Sequence, residues 1–402
     1  MSVELVREAQ KMDKNGVAPG APHQEHNHYH DSTSQGVSQG ESANNGVSGE
    51  PLCIQESRIY RGPNPYGYRP VVRIKLALGR LEEYPTDRLG DFTERLLEIM
   101  PTLQEHGCSY GEAGGFVKRL ERGTWLAHVA EHIAIELQCL AATPVTYGKT
   151  RGSDERGVYN VIYSYVEERV GLLSGWLALR LINHLLPPHL QGLENLALLV
   201  PDDTAPLVDP SAPFDYQAEL EALIRRAQRL ALGPTTQSLV DEACRRDIPA
   251  IRLDDQSLVQ LGYGKYQQRI RASVTSKTSH IALETAGDKS LTNRLLEDAG
   301  IPSPRGVRVR SADEAVAAAR KIGFPVVAKP LSGNHGRGVS LNLTDEEQVR
   351  WGYEQAAVHG SSVIVEKYLS GHDYRVLVIN NQLVAAARRV PAHVVGDGKH
   401  SI

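Results

Sequence analysis

The chain has 402 residues, with 44 Lys and Arg against 48 Asp and Glu, and a net charge of −4. That length suits two or three domains, 41% hydrophobic residues suffice for packed cores, and the balanced charge excludes a globally basic binder of nucleic acid or membrane surfaces. Four cysteines, Cys53, Cys108, Cys139 and Cys244, lack C-x-x-C spacing, which indicates reduced thiols rather than a disulfide frame. The best apolar stretch, Val170 to Leu186, is interrupted by Arg180 and Asn183, and the N-terminus lacks a signal-peptide core. A cytoplasmic protein is expected.

Residues 1–55 are rich in Gly, Ser, Asn and Gln and read as a disordered tail, its His23, His26, His28 and His30 solvated. Residues 56–200 read as a small α/β domain, with clear order near Ile59. Val71 to Leu78 alternates as a half-buried strand, and Asp91 caps a helix to Met100. A second helix spans Thr124 to about Leu140, with a turn at Pro144. Val158 to Val166 reads as a strand, Gly175 to Leu186 as a helix stopped by Pro187-Pro188, and Leu196 to Val200 as a short buried strand. Residues 201–402 begin with a helix from Phe214 to Leu232, ended by Gly233-Pro234. Strands and helices then alternate, as a second α/β region should.

The helix from Thr124 carries His128-x-x-Glu131-His132. His128 and His132 are one turn apart on one face and able to share a Zn²⁺ ion, with Glu131 beside them as a general base. This is the H-x-x-E-H order of inverzincin peptidases. Glu136 lies about 12 Å along the helix from His128, too far to complete the site, so Glu167 or Glu168 on a separate element is the expected third ligand, with Glu167 preferred. The alternative is a helix with two histidines in a polar network.

Farther on, Asp288 is placed to cap a helix whose Leu291, Leu295 and Leu296 form an apolar stripe, with Gly300 at its end. The run Gly323-Phe-Pro-Val-Val-Ala-Lys-Pro330 then delivers Lys329 into a loop holding Gly333, Gly336 and Gly338. Such a loop turns backbone N–H groups toward an anion such as a nucleotide phosphate. An ordinary glycine-rich hairpin is the alternative. Val363 to Leu369, Gly371 to Val378 and Gln382 to Arg389 read as three further strands.

In their order, these segments resemble the ATP-grasp family: Asp288-Lys289 helix, V-V-A-K-P strand, glycine loop, V-I-V-E-K-Y-L hinge (Val363 to Leu369), then G-H-D-Y-R-V from Gly371. The resemblance implies that Lys289 and Lys329 contact ATP phosphates. It also implies that Ser332, Gly333, Asn334, Gly336 and Gly338 form the closing loop. Glu366, Lys367 and Leu369 would meet adenine and ribose, and Arg375 would face phosphate or an acidic substrate. Family members phosphorylate a carboxylate with ATP and let an amine attack the acyl phosphate. Two Mg²⁺ ions are usual, held by acidic residues late in the domain; no such cluster follows Val394 to His400, so an incomplete ATP-grasp domain is expected.

The first domain carries R-G-P-N (Arg61 to Asn64), C-S-Y-G-E-A-G-G-F (Cys108 to Phe116), R-G-T-W-L-A-H-V-A-E-H-I-A-I-E-L-Q (Arg122 to Gln138) and Y-G-K-T-R (Tyr147 to Arg151). Joined to an ATP-grasp module, this is similar to the cyanophycin synthetase family. The resemblance implies aspartate, arginine and a cyanophycin primer as partners, a homo-oligomer, and addition of Asp to a poly-aspartate backbone, with the arginine-adding module absent. Three other readings remain: a different ATP-grasp ligase of the D-alanine–D-alanine or glutathione type, a polymer- or partner-binding protein without turnover, and a zinc peptidase in the first domain.

Overall fold

Alternation along a single strand organises the first sheet: Val72, Ile74 and Leu76 are buried on one side while Arg73 and Lys75 remain half-exposed on the other. The computed structural model describes residues 49–331, 336–360, 362–390, 394–396, 398–399 and 401. The histidine-rich tail and Ser332, Gly333 and Asn334 lie outside the described residues. The first elements are β1 (Leu52–Tyr60), β2 (Val71–Ala77), α1 (Phe92–Ile99), α2 (Gly115–Glu121), α3 (Leu126–Leu140), β3 (Gly148–Gly152), β4 (Val158–Ser164), α4 (Glu168–Leu185) and β5 (Leu193–Glu194). The strands form one sheet in the order β3-β4-β2-β1-β5, antiparallel except where β5 runs parallel to β1. Val129, Ile133 and Leu137 of α3 and Leu173, Trp176 and Leu177 of α4 share one core with Ile74, Leu76 and Val161 of the sheet.

Four expectations are corrected here. β1 begins at Leu52, so regular structure starts within the stretch that composition assigns to the tail. Asp91 sits at the N-cap of α1 without making a cap bond; its carboxylate faces Arg95 at 3.8 Å instead. Helix α4 starts at Glu168, about two turns before Gly175, because the Glu167 carboxylate accepts the Val170 N–H at 3.0 Å. Leu196–Leu199 is a 3-10 turn rather than a strand, entered through Asn195 in the left-handed region, and a short apolar run cannot distinguish the two by periodicity.

Next come α5 (Tyr216–Leu230), capped by Asp215, and α6 (Pro234–Arg245), in which Pro234 occupies the first turn. Leu220, Leu223 and Ala227 of α5 belong to the first core, so its packing continues past residue 200. The strands β6 (Ala250–Arg252), β7 (Leu258–Leu261), β8 (Gln268–Arg271) and β9 (Val274–Thr275) make an antiparallel meander. Helices α7 (His280–Gly287) and α8 (Lys289–Asp298) follow. No residue of α8 is buried, so the Leu291, Leu295 and Leu296 stripe packs into no core among the described residues.

A second core is built by β10 (Gly306–Val309), α9 (Ala312–Ile322), β11 (Val326–Pro330), β12 (Ser340–Leu343), α10 (Glu346–Ala357) and β13 (Val363–Lys367). Its sheet runs β10-β13-β11-β12, all antiparallel, so β11 and Lys329 are central. The strands β14 (Asp373–Ile379) and β15 (Gln382–Arg389) pair as an exposed hairpin, turned by Asn380 and Asn381, both at positive φ.

The joint between α4 and α5 is a buried ion pair. Arg180 donates to Glu219 at 2.9 and 2.7 Å and to the Pro210 carbonyl at 2.8 Å, and its guanidinium lies over Trp176. Glu219 is 1% exposed, so removing it strands a buried cation. Glu219→Ala should therefore lower unfolding stability by about 3–5 kcal/mol in urea denaturation. An unchanged midpoint would show that the pair is not holding the two helices together.

Candidate functional site

Two separate constellations emerge, one in each core. In the second, β11 carries Lys329 and neighbouring β13 carries Glu366, and their side chains form an ion pair. Asp288 caps α8 by accepting the N–H groups of Ser290 and Leu291 at 2.9 and 3.0 Å. That cap fixes the start of the helix, and Lys289 at its first position donates to the Pro330 carbonyl at 3.2 Å. Lys289 thus comes close to Lys329, and its pKa is lowered by partial burial and by the Lys329 charge, with Glu366 opposing. Two ammonium groups converge near Glu366, a placement suited to a polyphosphate. Gly336 and Gly338 both sit at positive φ on the return of the loop toward β12.

Other residues expected at this site have different placements. Lys367 donates its ammonium to the carbonyls of Gly323 and Phe324 at 2.9 and 2.8 Å, which ties that side chain to the loop before β11. Its own N–H bonds the Arg305 carbonyl. Leu369 is exposed. Arg375 stands on the β14–β15 hairpin, a different sheet from Lys329, and is exposed; no described contact joins it to the lysine pair.

The first core holds the other constellation, on α3. The i, i+4 spacing puts His128 and His132 side by side, their rings 4.8 Å apart at 87°. His128 Nδ1 meets Thr124 Oγ1 at 3.0 Å, and His128 Nε2 lies 3.4 Å from Cys108 Sγ. Cys108 belongs to a 3-10 turn and adopts φ +47°, an unfavourable conformation for a side chain with a Cβ. Ligand atoms of Cys108, His128 and His132 all lie within 4.8 Å of one another. Thiolate plus two imidazoles is a donor set suited to zinc. Burial first, then Arg119, pushes His128 down to about 4; burial, then the two neighbouring histidines, pushes His132 down to about 2, so both imidazoles stay neutral.

Glu167 is not in this group: its carboxylate caps α4 and pairs with Arg169 at 3.2 Å. Glu168 pairs with Arg61, and the side chain that stands with the two histidines is Cys108. The signal for Cys108 was in the sequence, in the C-S-Y-G run twenty residues before His128, yet nothing in its spacing marked it as a ligand. Glu131 is buried, its carboxylate accepting from Thr150 Oγ1 at 2.6 Å on β3. Gly148 on the same strand makes room, since a Cβ there would collide with the Glu131 carboxylate and with Ile135. Trp125, Tyr159, Thr150 and Arg119 line the cleft with Cys108 and His128.

Burial raises the Glu131 carboxyl from 4.5 to about 7, against the Thr150 hydrogen bonds. Below pH 4.5 the group is protonated in folded and unfolded chains alike. As pH rises toward 7 only the unfolded chain ionises, so the wild type loses stability across that window, by roughly 3 kcal/mol in all. Glu131→Gln lacks this loss. Denaturant titrations should show its stability advantage over wild type growing through the window and levelling above it; a difference independent of pH would contradict the burial of this carboxyl.

Family models match two stretches of the chain: a cyanophycin synthase-like N-terminal domain at residues 73–187 and an ATP-grasp domain at residues 283–368. The sequence is 40% identical over 356 residues to the cyanophycin synthetase of Geminocystis herdmanii, covering 87% of this chain and 38% of that protein. It is 39% identical over 356 residues to that of Crocosphaera subtropica, with 87% and 38% covered. A glutathione biosynthesis bifunctional protein of Desulfotalea psychrophila is 33% identical over 175 residues, 42% of this chain and 22% of that protein. The chain therefore spans 38% of the length of the first two relatives. It is similar to cyanophycin synthetases across both cores, and to the glutathione protein over less than half its length. The chain pairs a cyanophycin synthase-like N-terminal domain with an ATP-grasp domain, and over both it is similar to part of the cyanophycin synthetases.

Proposed function

We propose that this chain provides the nucleotide-binding part of an ATP-dependent carboxylate–amine ligase that adds aspartate to a poly-aspartate backbone. The convergence of Lys289 and Lys329 at Pro330 and Glu366 carries this reading. ATP would supply the phosphoryl group that activates the carboxylate, with Mg²⁺ neutralising the transferring charge. The chain's own contribution is positioning. Lys329 exchanges Glu366 for phosphate, Lys289 adds a second cation, and the Gly336–Gly338 turn brings backbone toward the anion. The relatedness to cyanophycin synthetases supports a cyanophycin primer as acceptor and arginine as the residue that a further module would add.

Lys329→Gln should weaken nucleotide binding by about 1.5–3 kcal/mol, the range for hydrogen bonds to charged groups. Calorimetry giving wild-type affinity would remove Lys329 from the site. Mass spectrometry after incubation with ATP, aspartate, arginine and a short primer reads the reaction. Aspartate added to primer supports the ligase, whereas nucleotide and primer binding without product supports a binding protein.

A second reading is favoured by the Cys108, His128 and His132 cluster: a zinc-dependent peptidase in the first domain, acting on the polymer and creating new chain ends. Zinc held there would supply an acidified water. Glu131, its carboxyl held near neutrality, is suited to take up and release a proton. Purified protein should carry about one zinc per chain, and Cys108→Ser and His132→Ala should both lose it. Glu131→Gln should keep the metal and lose cleavage of aspartyl-arginine peptides. Metal retained in both ligand variants would exclude the cluster as the site.

A further inference from the structure

Behind His132 lies a second polar contact that neither reading uses. His106, just after the 3-10 turn Pro101–Glu105, places its Nδ1 2.9 Å from His132 Nδ1 and its Nε2 2.8 Å from Glu136 Oε2. Glu136 is one turn beyond His132 on α3 and buried, as is His132. The His106 carbonyl accepts the Phe116 N–H at 3.0 Å, and the Phe116 ring stacks on His132 at 3.9 Å and 20°. The three side chains are therefore held from both the helix and the segment crossing it.

Donors and acceptors along this chain match in one order when His132 binds a cation. His132 Nδ1 is engaged with His106, which leaves Nε2 to ligate. A neutral imidazole ligating through Nε2 must carry its hydrogen on Nδ1. That N–H donates to His106 Nδ1, so His106 must carry its own hydrogen on Nε2. The Glu136 carboxylate, which only accepts, lies there. Any other placement sets two lone pairs or two hydrogens against each other at one contact.

We propose that His106 and Glu136 are positioning residues for a divalent metal held by Cys108, His128 and His132, fixing the tautomer of His132 and holding its Nε2 toward the ion. This rests on the metal reading given above. The relay makes His132 a more basic ligand, because charge on Glu136 is transmitted through two hydrogen bonds. It also explains why a glutamate that cannot reach the metal itself stands buried one turn away.

Zinc affinity, measured by competition with a chromophoric chelator, tests this with three variants of similar size. His106→Leu removes the acceptor facing His132, and affinity should fall about 10- to 100-fold. His106→Asn keeps an acceptor at the position of Nδ1 and should recover most of that loss. Glu136→Gln keeps the hydrogen bond without the charge and should show a smaller loss with unchanged thermal stability of the metal-free protein. Equal weakening by Leu and Asn would reduce His106 to packing and overturn the proposal, as would unaltered affinity in Glu136→Gln should His106→Leu not fold. Wild type that binds no zinc would remove the metal reading itself, a result distinct from variants that bind as well as wild type.

Discussion

A helix buried on nearly every side can carry polar side chains only where they find partners, and α3 carries several. Glu131, His132, Glu136 and Gln138 are all buried within it. An unsatisfied polar group in such a place costs roughly 1–3 kcal/mol, so each partner becomes a constraint on the surrounding fold. Glu131 requires Thr150 and a glycine at 148, which fixes how β3 lies against the helix. His132 and Glu136 require His106, which fixes the path of the segment before α2. Gln138 donates to the Ser164 carbonyl at 3.1 Å, joining the helix to the end of β4. Cys108 arrives beside His128 as a consequence of that path, so packing and chemistry in the first core have one origin.

The second core solves a gentler version of the same problem. Lys329 and Glu366 stand on adjacent central strands, where the lysine side chain is one-quarter exposed. Their pairing engages Glu366 Oε1, while Oε2 is buried without a hydrogen-bond partner among the described residues, and it leaves the lysine accessible to a competing anion. Lys289, brought alongside by a helix start that Asp288 caps, adds a second ammonium near Lys329. The site is thus a pair of cations on two rigid elements, with glycines supplying the turn beside them. That placement separates the binding proposed for these residues from metal coordination, for which no described residue of this core is gathered.

Local chemistry was legible in the sequence and long-range partnership was not. Period-two alternation marked β2, an apolar run marked α3, and Asp288 marked the start of α8, because each effect acts within a turn or a strand. The lysine–glycine loop could be read for the same reason. His128 and His132 were readable as a pair from helix geometry alone. Their third companion was not, because Cys108 reaches them through a left-handed backbone conformation that no periodicity announces. Glu167, expected as third ligand because it lies on a separate element, is instead a helix cap, a role that starts α4 about two turns before the expected position. Leu291, Leu295 and Leu296 look like a core stripe, yet helix α8 has no buried residue, so amphipathicity did not predict burial there.

The proposal that reaches furthest is that His128 and His132 of α3 form a ligand set with Cys108 rather than a purely structural network. Zinc-edge X-ray absorption on the purified, zinc-loaded protein tests it most directly. The account predicts one sulfur neighbour at about 2.3 Å and two imidazole nitrogens at about 2.0–2.1 Å. A shell without sulfur would contradict it by removing Cys108 from the set, and a shell without imidazole nitrogen would return His128 and His132 to packing.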